Sequence, residues 1–131
     1  MAGWGIERIE MPEYGILRIN LSGVETASAG AAGQDRLCAS IRDEGWTSVI
    51  LDYRECTLNY TVTEFEKTVD SLARRLPQGF RLAYVFNDQS FVAAARASKK
   101  LSSSGIEARA FSDERAALEF ARQSAPASES P

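Results

Sequence analysis

The sequence predicts an α/β fold: a five-stranded mixed sheet, opened by an N-terminal antiparallel hairpin and continued by βα units, with about four helices. Three observations carry this. Strand-like runs at Gly15–Leu21, Ser48–Tyr53, Phe80–Phe86 and Ile106–Phe111 are each followed by a helix-like stretch, and such alternation builds a sheet with parallel strands. Val49-Ile50-Leu51 is a continuous apolar run, the pattern of a strand covered on both faces. By contrast, Leu17, Ile19 and Leu21 alternate with Arg18 and Asn20, and Ile106, Ala108 and Ala110 alternate with Glu107 and Arg109. Half-buried alternation of that kind marks the two edges of the sheet.

Each element has its own signals. Trp4 to Met11 reads as the first strand, with apolar positions in imperfect alternation. Pro12-Glu13-Tyr14-Gly15 is a turn, with Pro and Gly where a tight turn needs them. The returning strand ends at Ser22-Gly23. A first helix is expected over Ala27 to Glu44, with Leu37, Cys38 and Ile41 at core spacing. Its front half, Ala29-Gly30-Ala31-Ala32-Gly33, holds two glycines, each costing about 1 kcal/mol in a helix interior. That segment reads either as a late helix start, as close packing, or as a piece that opens over a ligand. After the strand at Ser48–Tyr53 a loop is expected over Arg54–Tyr60. Two overlapping capping boxes follow, Thr61-Val62-Thr63-Glu64 and Thr63-Glu64-Phe65-Glu66, and one of these threonines starts the second helix. Val62, Phe65, Val69, Leu72 and Leu76 form its apolar stripe, and Pro77-Gln78-Gly79 stops it. Asp88 or Ser90 caps a third, alanine-rich helix running to about Ser103. Ser112 or Asp113 caps the last helix, with Ala117, Leu118 and Ala121 inward.

Size and composition narrow the function. The chain has 131 residues, 44% of them hydrophobic, and a formal net charge of −3. That is enough for one domain with its own core, expected over residues 1–123, followed by a disordered tail at 124–131. No basic face offers itself to nucleic acid. No apolar run is long enough to span a bilayer, and Met1 to Glu10 lacks the features of a secretory signal. A cytoplasmic protein that is not integral to the membrane is therefore expected. The chain has no histidine, the commonest general base near neutral pH, and only two cysteines. Cys38 sits on the apolar side of a helix and Cys56 in the loop after a strand. Neither spacing makes a zinc site or a disulfide framework. No cofactor is implied, and an enzymatic role is not the favoured reading.

The remaining candidates lie at the presumed C-terminal ends of the strands, where ligands of open α/β sheets bind. Carboxylates collect there: Asp52, Glu55, Asp88 and Asp113. Asp88 and Asp113 are explained as helix caps, and no metal site is expected. Helix N-termini bind anions through free N–H groups. Only the one at Tyr60–Thr63 lacks a carboxylate cap in the sequence, which makes it the anion candidate. Arg96, Lys99 and Lys100 read as a solvated helix face. An apolar pocket is expected among Gly30, Gly33, Tyr60 and Phe65, where small residues leave room and rings supply walls.

The N-terminal hairpin, the segment SVILDYRECTLNYTVTEFE and the segment SSGIEARAFSDERAALEFA together resemble the STAS fold, and within it the bacterial SpoIIAA-like, STAS/SEC14-type small proteins. The resemblance runs from about Gly15 to Arg122. It implies a non-enzymatic, protein-binding regulatory domain of bacterial signalling, with an unspecified protein partner. In anti-sigma-factor antagonists of this fold, an Asp-Ser-Ser-Gly motif after the middle strand carries a phosphorylated serine. Here that position reads Tyr60-Thr61-Val62-Thr63, without Asp, Ser or Gly. The resemblance therefore marks Asp52, Cys56, Tyr60, Thr61 and Thr63 as the candidate partner or phosphoacceptor loop. Its SEC14 side implies a carrier or sensor of a small apolar or lipid ligand held between sheet and helices. A homodimer is also expected, formed through Ile50, Ala83 and Val85 if the helices leave one sheet face open.

Overall fold

The structure, a computed structural model, describes residues 4–123; the tail expected to be disordered at 124–131 lies outside them. Five strands form one mixed sheet in the order β1 (Trp4–Met11), β2 (Ile16–Thr26), β3 (Ser48–Asn59), β4 (Arg81–Val85) and β5 (Glu107–Phe111). β1 and β2 are antiparallel, joined through a 3-10 turn at Pro12–Tyr14 and by Gly15 at φ 69°. All later pairings are parallel. The helices are α1 (Ala27–Glu44), α2 (Val62–Arg75), α3 (Phe91–Ser103) and α4 (Glu114–Arg122). The five-stranded mixed sheet with four helices is thus the fold the sequence predicts, with β1 and β5 at its edges.

β2 and β3 depart from the sequence reading in an informative way. Both run on well past their expected ends. β2 does not stop at Ser22-Gly23 but continues to Thr26, with Gly23 taking φ 84° inside the strand. The segment Arg54–Tyr60, expected as a loop, is strand as far as Asn59. The register explains why this was hidden. Asn20 stands opposite Asp52 and Ser22 opposite Glu55, so Leu21 of β2 faces two residues of β3, Tyr53 and Arg54. This is a β-bulge, and one extra residue reverses which side chains face inward. Before it, Val49 and Leu51 point to one face. After it, Cys56 and Leu58 point to the same face. Cys56 is accordingly a buried core residue rather than a loop thiol.

Each face of the sheet has its own core. α1, α2 and α3 cover the face of Leu17, Val49, Leu51, Leu82 and Tyr84, contributing Cys38, Ile41, Val69, Leu72, Ala97 and Leu101. α4 covers the opposite face, where Ala117, Phe120 and Ala121 meet Ile16, Ile50, Ala83 and Val85. The Ser48 hydroxyl donates to the Ala121 carbonyl at 2.9 Å, and the Arg81 and Arg109 guanidiniums lie over the Phe120 ring. Ile50, Ala83 and Val85, expected on an open face, are therefore sealed beneath α4 and offer no surface for a dimer.

Caps account for the helix starts. Thr61 is the N-cap of α2, its Oγ1 accepting from Glu64 N while Glu64 Oε1 accepts from Thr61 N. Asp113 caps α4. Asp88 caps nothing: Ser90 is the N-cap of α3, and Asn87 Oδ1 accepts from the N–H groups of Gln89 and Ser90. Val62, placed in the apolar stripe of α2 by its spacing, is 63% exposed because it sits on the first turn, beyond the sheet's cover.

Candidate functional site

The core beneath α1, α2 and α3 is not filled. A cavity of about 440 Å³ lies between these helices and the inward faces of β1 to β4, a volume in the range that holds one drug-sized molecule. Its walls are mostly apolar, with Leu17, Ile19, Leu21, Leu51 and Leu58 from the sheet and Phe65, Val69 and Leu72 from α2. Exposed lining residues, Ile6 and Arg8 on β1 and Arg36 on α1, mark where it meets solvent. Arg8 bridges β1 to α1 there, donating to Ser40 Oγ at 2.9 Å and pairing with Glu44.

At one end of this apolar space stands a carboxylate. Glu25, on the part of β2 that outruns its expected end, is only 4% exposed. It accepts from the Trp4 indole Nε1–H at 3.2 Å and from the Tyr60 hydroxyl. Among the described residues it has no ion pair. Burial raises its carboxyl above the ordinary value, and the bonds from Tyr60 and Trp4 offset only part of that rise. Tyr53 and Tyr84 also line the cavity, their rings 6.1 Å apart and tilted. Burial, and then the Glu25 charge, push both phenols up. Among the described residues neither hydroxyl has a protein hydrogen-bond partner, and neither is a fully enclosed atom.

The two glycines of α1 belong to this arrangement. A Cβ on Gly30 would overlap the Tyr60 hydroxyl and come within 2.9 Å of Glu25 Oε2. A Cβ on Gly33 would stand 3.2 Å from the Trp4 ring. The helix is regular through both positions. It carries glycine where the two donors to Glu25 press against it. Gln34, one residue on, ties α1 to α2 by donating to Thr68 O at 3.0 Å and accepting from Ser71 Oγ at 2.8 Å.

The residues marked from the sequence fall into three places. Gly30, Gly33, Tyr60 and Phe65 all line the cavity, and Phe65 meets Tyr60 edge-to-face at 5.9 Å. Cys56 is buried in the core beside the cavity, its Sγ 3.8 Å from Thr57 O, with burial pushing the thiol up to about 11. Such a thiol is protonated at neutral pH and is no nucleophile. Thr61 and Thr63 are exposed at the start of α2. The anion expected at this terminus meets an obstacle: the Glu64 carboxylate already folds onto it. A second, smaller groove of about 290 Å³ runs past Thr61 and Val62 to Val92 and Arg96 of α3. Asp52 does not belong with the others. It lies mid-strand on the α4 face, held by Arg18 Nη2 at 2.8 Å and Arg54 Nη2 at 2.7 Å. Burial would raise its carboxyl, but the bonds and charge of Arg54, with the charge of Arg18, hold it below the ordinary value.

Sequence reasoning missed Glu25, Trp4, Tyr53 and Tyr84. A signal was present: Cys56, Leu58 and Tyr60 alternate with Glu55, Thr57 and Asn59, the period of a strand that continues with its parity reversed. Among the described residues no group of three or more His, Cys, Asp and Glu is placed to hold a metal ion, and no helix is long and apolar enough to cross a membrane.

No protein-family model matches the chain, and no curated protein matches it in sequence. Its likeness is to solved structures. It is similar to an anti-sigma factor antagonist from Mycobacterium paratuberculosis, with a TM-score of 0.66, 9% identity, and 92% of this chain and 96% of that one covered. It is similar to an uncharacterized DUF3478-family protein with a SpoIIAA-like fold from Shewanella loihica, with a TM-score of 0.61, 16% identity, and 92% and 95% covered. The phosphorylated form of the Bacillus cell fate determinant SpoIIAA follows at 0.53 and 13% identity, with 88% and 97% covered. The fold is thus SpoIIAA-like.

Proposed function

We propose that this chain is a non-enzymatic, STAS-like regulatory domain that senses or carries a small apolar ligand. The observation that carries the reading is the 440 Å³ apolar cavity between the sheet and α1 to α3. A domain of this size buries its core at near-crystalline density, and voids larger than a water molecule are few. Retaining this one forfeits packing energy along every wall, and a ligand restores it. Three further points support a binding role over chemistry: both thiols are buried, burial raises both, and the chain has no histidine. Native mass spectrometry of the protein purified from cells tests this. A bound mass that organic extraction removes is expected. A clean ligand-free mass across preparations, together with no uptake of added apolar probes, overturns it.

A protein partner is the second element of the proposal. Two of the similar structures are an anti-sigma factor antagonist and SpoIIAA. In this chain Val62, Phe91 and Val92 are large apolar side chains exposed at the neighbouring starts of α2 and α3. Exposed apolar side chains gathered at one place fit an interaction surface. Thr61 stands beside them as its polar neighbour and, in this reading, as the phosphoacceptor position. A pull-down from native lysate with wild type and Thr61→Glu reads it: a partner lost from the Glu form supports a switch, and equal capture by both removes the switch.

A further inference from the structure

We infer that the cavity takes an organic amine, its apolar body along the leucine walls and its ammonium group against Glu25. The inference rests on the ligand-binding reading above and specifies the chemistry of that same site. Buried carboxylates are normally paired with a cation. Glu25 is 4% exposed, yet its partners are the neutral donors Trp4 Nε1–H and Tyr60 O–H. The other charged groups on the lining, Arg8 and Arg36, are exposed, and Arg8 is engaged by Glu10 and Glu44. Nothing described in the protein supplies the missing positive charge.

The surroundings match an ammonium better than any other head group. Each Glu25 oxygen receives one donor, and a carboxylate oxygen accepts more than one. An incoming N–H is therefore accommodated without displacing Trp4 or Tyr60. Tyr53 and Tyr84 line the same cavity, their hydroxyls unpartnered among the described residues, and offer acceptor oxygens for the remaining ammonium hydrogens. The rings of Trp4, Tyr53, Tyr60 and Tyr84 offer the faces that attract cations, an attraction that strengthens when the cation is desolvated. A carboxylate ligand meets repulsion at Glu25. A neutral alcohol leaves the buried charge uncompensated.

A matched probe series separates these chemistries. Octylamine, octanol and octanoate share one apolar body and differ at the head group. Calorimetric titration of the full chain near neutral pH is expected to show octylamine binding at least ten-fold tighter than octanol, with octanoate weakest. In Glu25→Gln the amine preference is expected to vanish while octanol affinity stays within two-fold of wild type, which also shows that the variant keeps its cavity. Octanol or octanoate binding as tightly as octylamine to the wild type, or an amine preference that survives Glu25→Gln, overturns the amine inference and leaves the cavity reading standing. Failure of all three probes to bind the wild type overturns both.

Discussion

The two faces of the sheet each bury one carboxylate, and they treat it in opposite ways. On the α4 face Asp52 is 6% exposed and clasped by Arg18 and Arg54, whose guanidiniums also reach Glu114 at the start of α4. On the other face Glu25 is buried as deeply but meets only neutral donors at the end of an unfilled space. The first arrangement is closed: every charge has its partner and α4 is locked in place. The second is open, with burial raising Glu25 and no cation among the described residues neutralising it. A buried charge without a counter-ion destabilises the fold, and its presence beside a cavity is what the proposed ligand site accounts for.

The largest expected effect comes from breaking the closed face. Asp52→Ala leaves two arginines beside a deleted partner and is expected to cost about 3 kcal/mol by urea denaturation. That is the low end for a broken buried pair, because Arg54 is partly solvent-screened. The pH dependence has a definite sign. A folded carboxyl held below its unfolded value contributes stability that is present above the unfolded value, near 3.9, and is lost as pH falls through the folded one. The gap between wild type and Asp52→Ala is therefore constant around neutrality and closes in acid. A variant as stable as wild type at pH 7 contradicts the closed-face account.

Volume gives the next contrast. Ala117 on α4 is fully buried in a filled core, and Ala94 on α3 lines the cavity. Ala117→Leu overpacks and is expected to lose about 2 kcal/mol. Ala94→Leu grows into existing space and is expected to stay within about 0.5 kcal/mol of wild type, while blocking uptake of an apolar probe. Equal destabilisation by the two substitutions refutes the difference in packing between the faces.

The same contrast governs how much was legible in the sequence. Local signals gave α1 its bounds, and the Thr61–Glu64 capping box is present as read. Edge alternation and central apolar runs are properties of single strands, and they mark the hairpin edge, the central strands and the β5 edge, although the alternating run Leu17–Leu21 lies in β2, inside the sheet between β1 and β3. What escaped depends on two strands at once. The bulge at Tyr53–Arg54 exists only in the pairing of β2 with β3, and without it Glu25 and Cys56 read as loop residues. Glu25 adds a second difficulty, since a lone acid near a Ser-Gly pair looks like a solvated turn. Likewise, no sequence period says that α4 crosses to the far face and seals Ile50, Ala83 and Val85. The capping box at Thr61–Glu64 is legible in the sequence, whereas the Glu64 carboxylate occupying the α2 terminus against an anion is visible only in the structure.

The smallest effect is also the most pointed, because it runs against the usual direction of core substitutions. Glu25→Gln keeps the shape of the side chain and removes its charge. The Gln carbonyl oxygen accepts from Trp4 Nε1–H as before, and its amide donates to the Tyr60 oxygen, which can reverse its role. Every bond is retained while the uncompensated charge is gone, so a gain of about 1 kcal/mol is expected. The sign of its pH dependence is opposite to that at Asp52. A carboxyl raised in the folded state costs stability in full above its folded value, and that cost fades as pH falls toward the unfolded value near 4.3, below which both states are protonated. The advantage of Glu25→Gln is thus full at the alkaline end and shrinks on acidification. Added octylamine is expected to invert the ranking, since a ligand that binds the folded wild type at least ten-fold tighter than the folded variant stabilises the wild type more by mass action and restores at Glu25 the pairing that Asp52 already has. A Glu25→Gln variant less stable than wild type in the absence of amine, at every pH, shows instead that the carboxylate is structural, and that the two faces differ in partners but not in purpose.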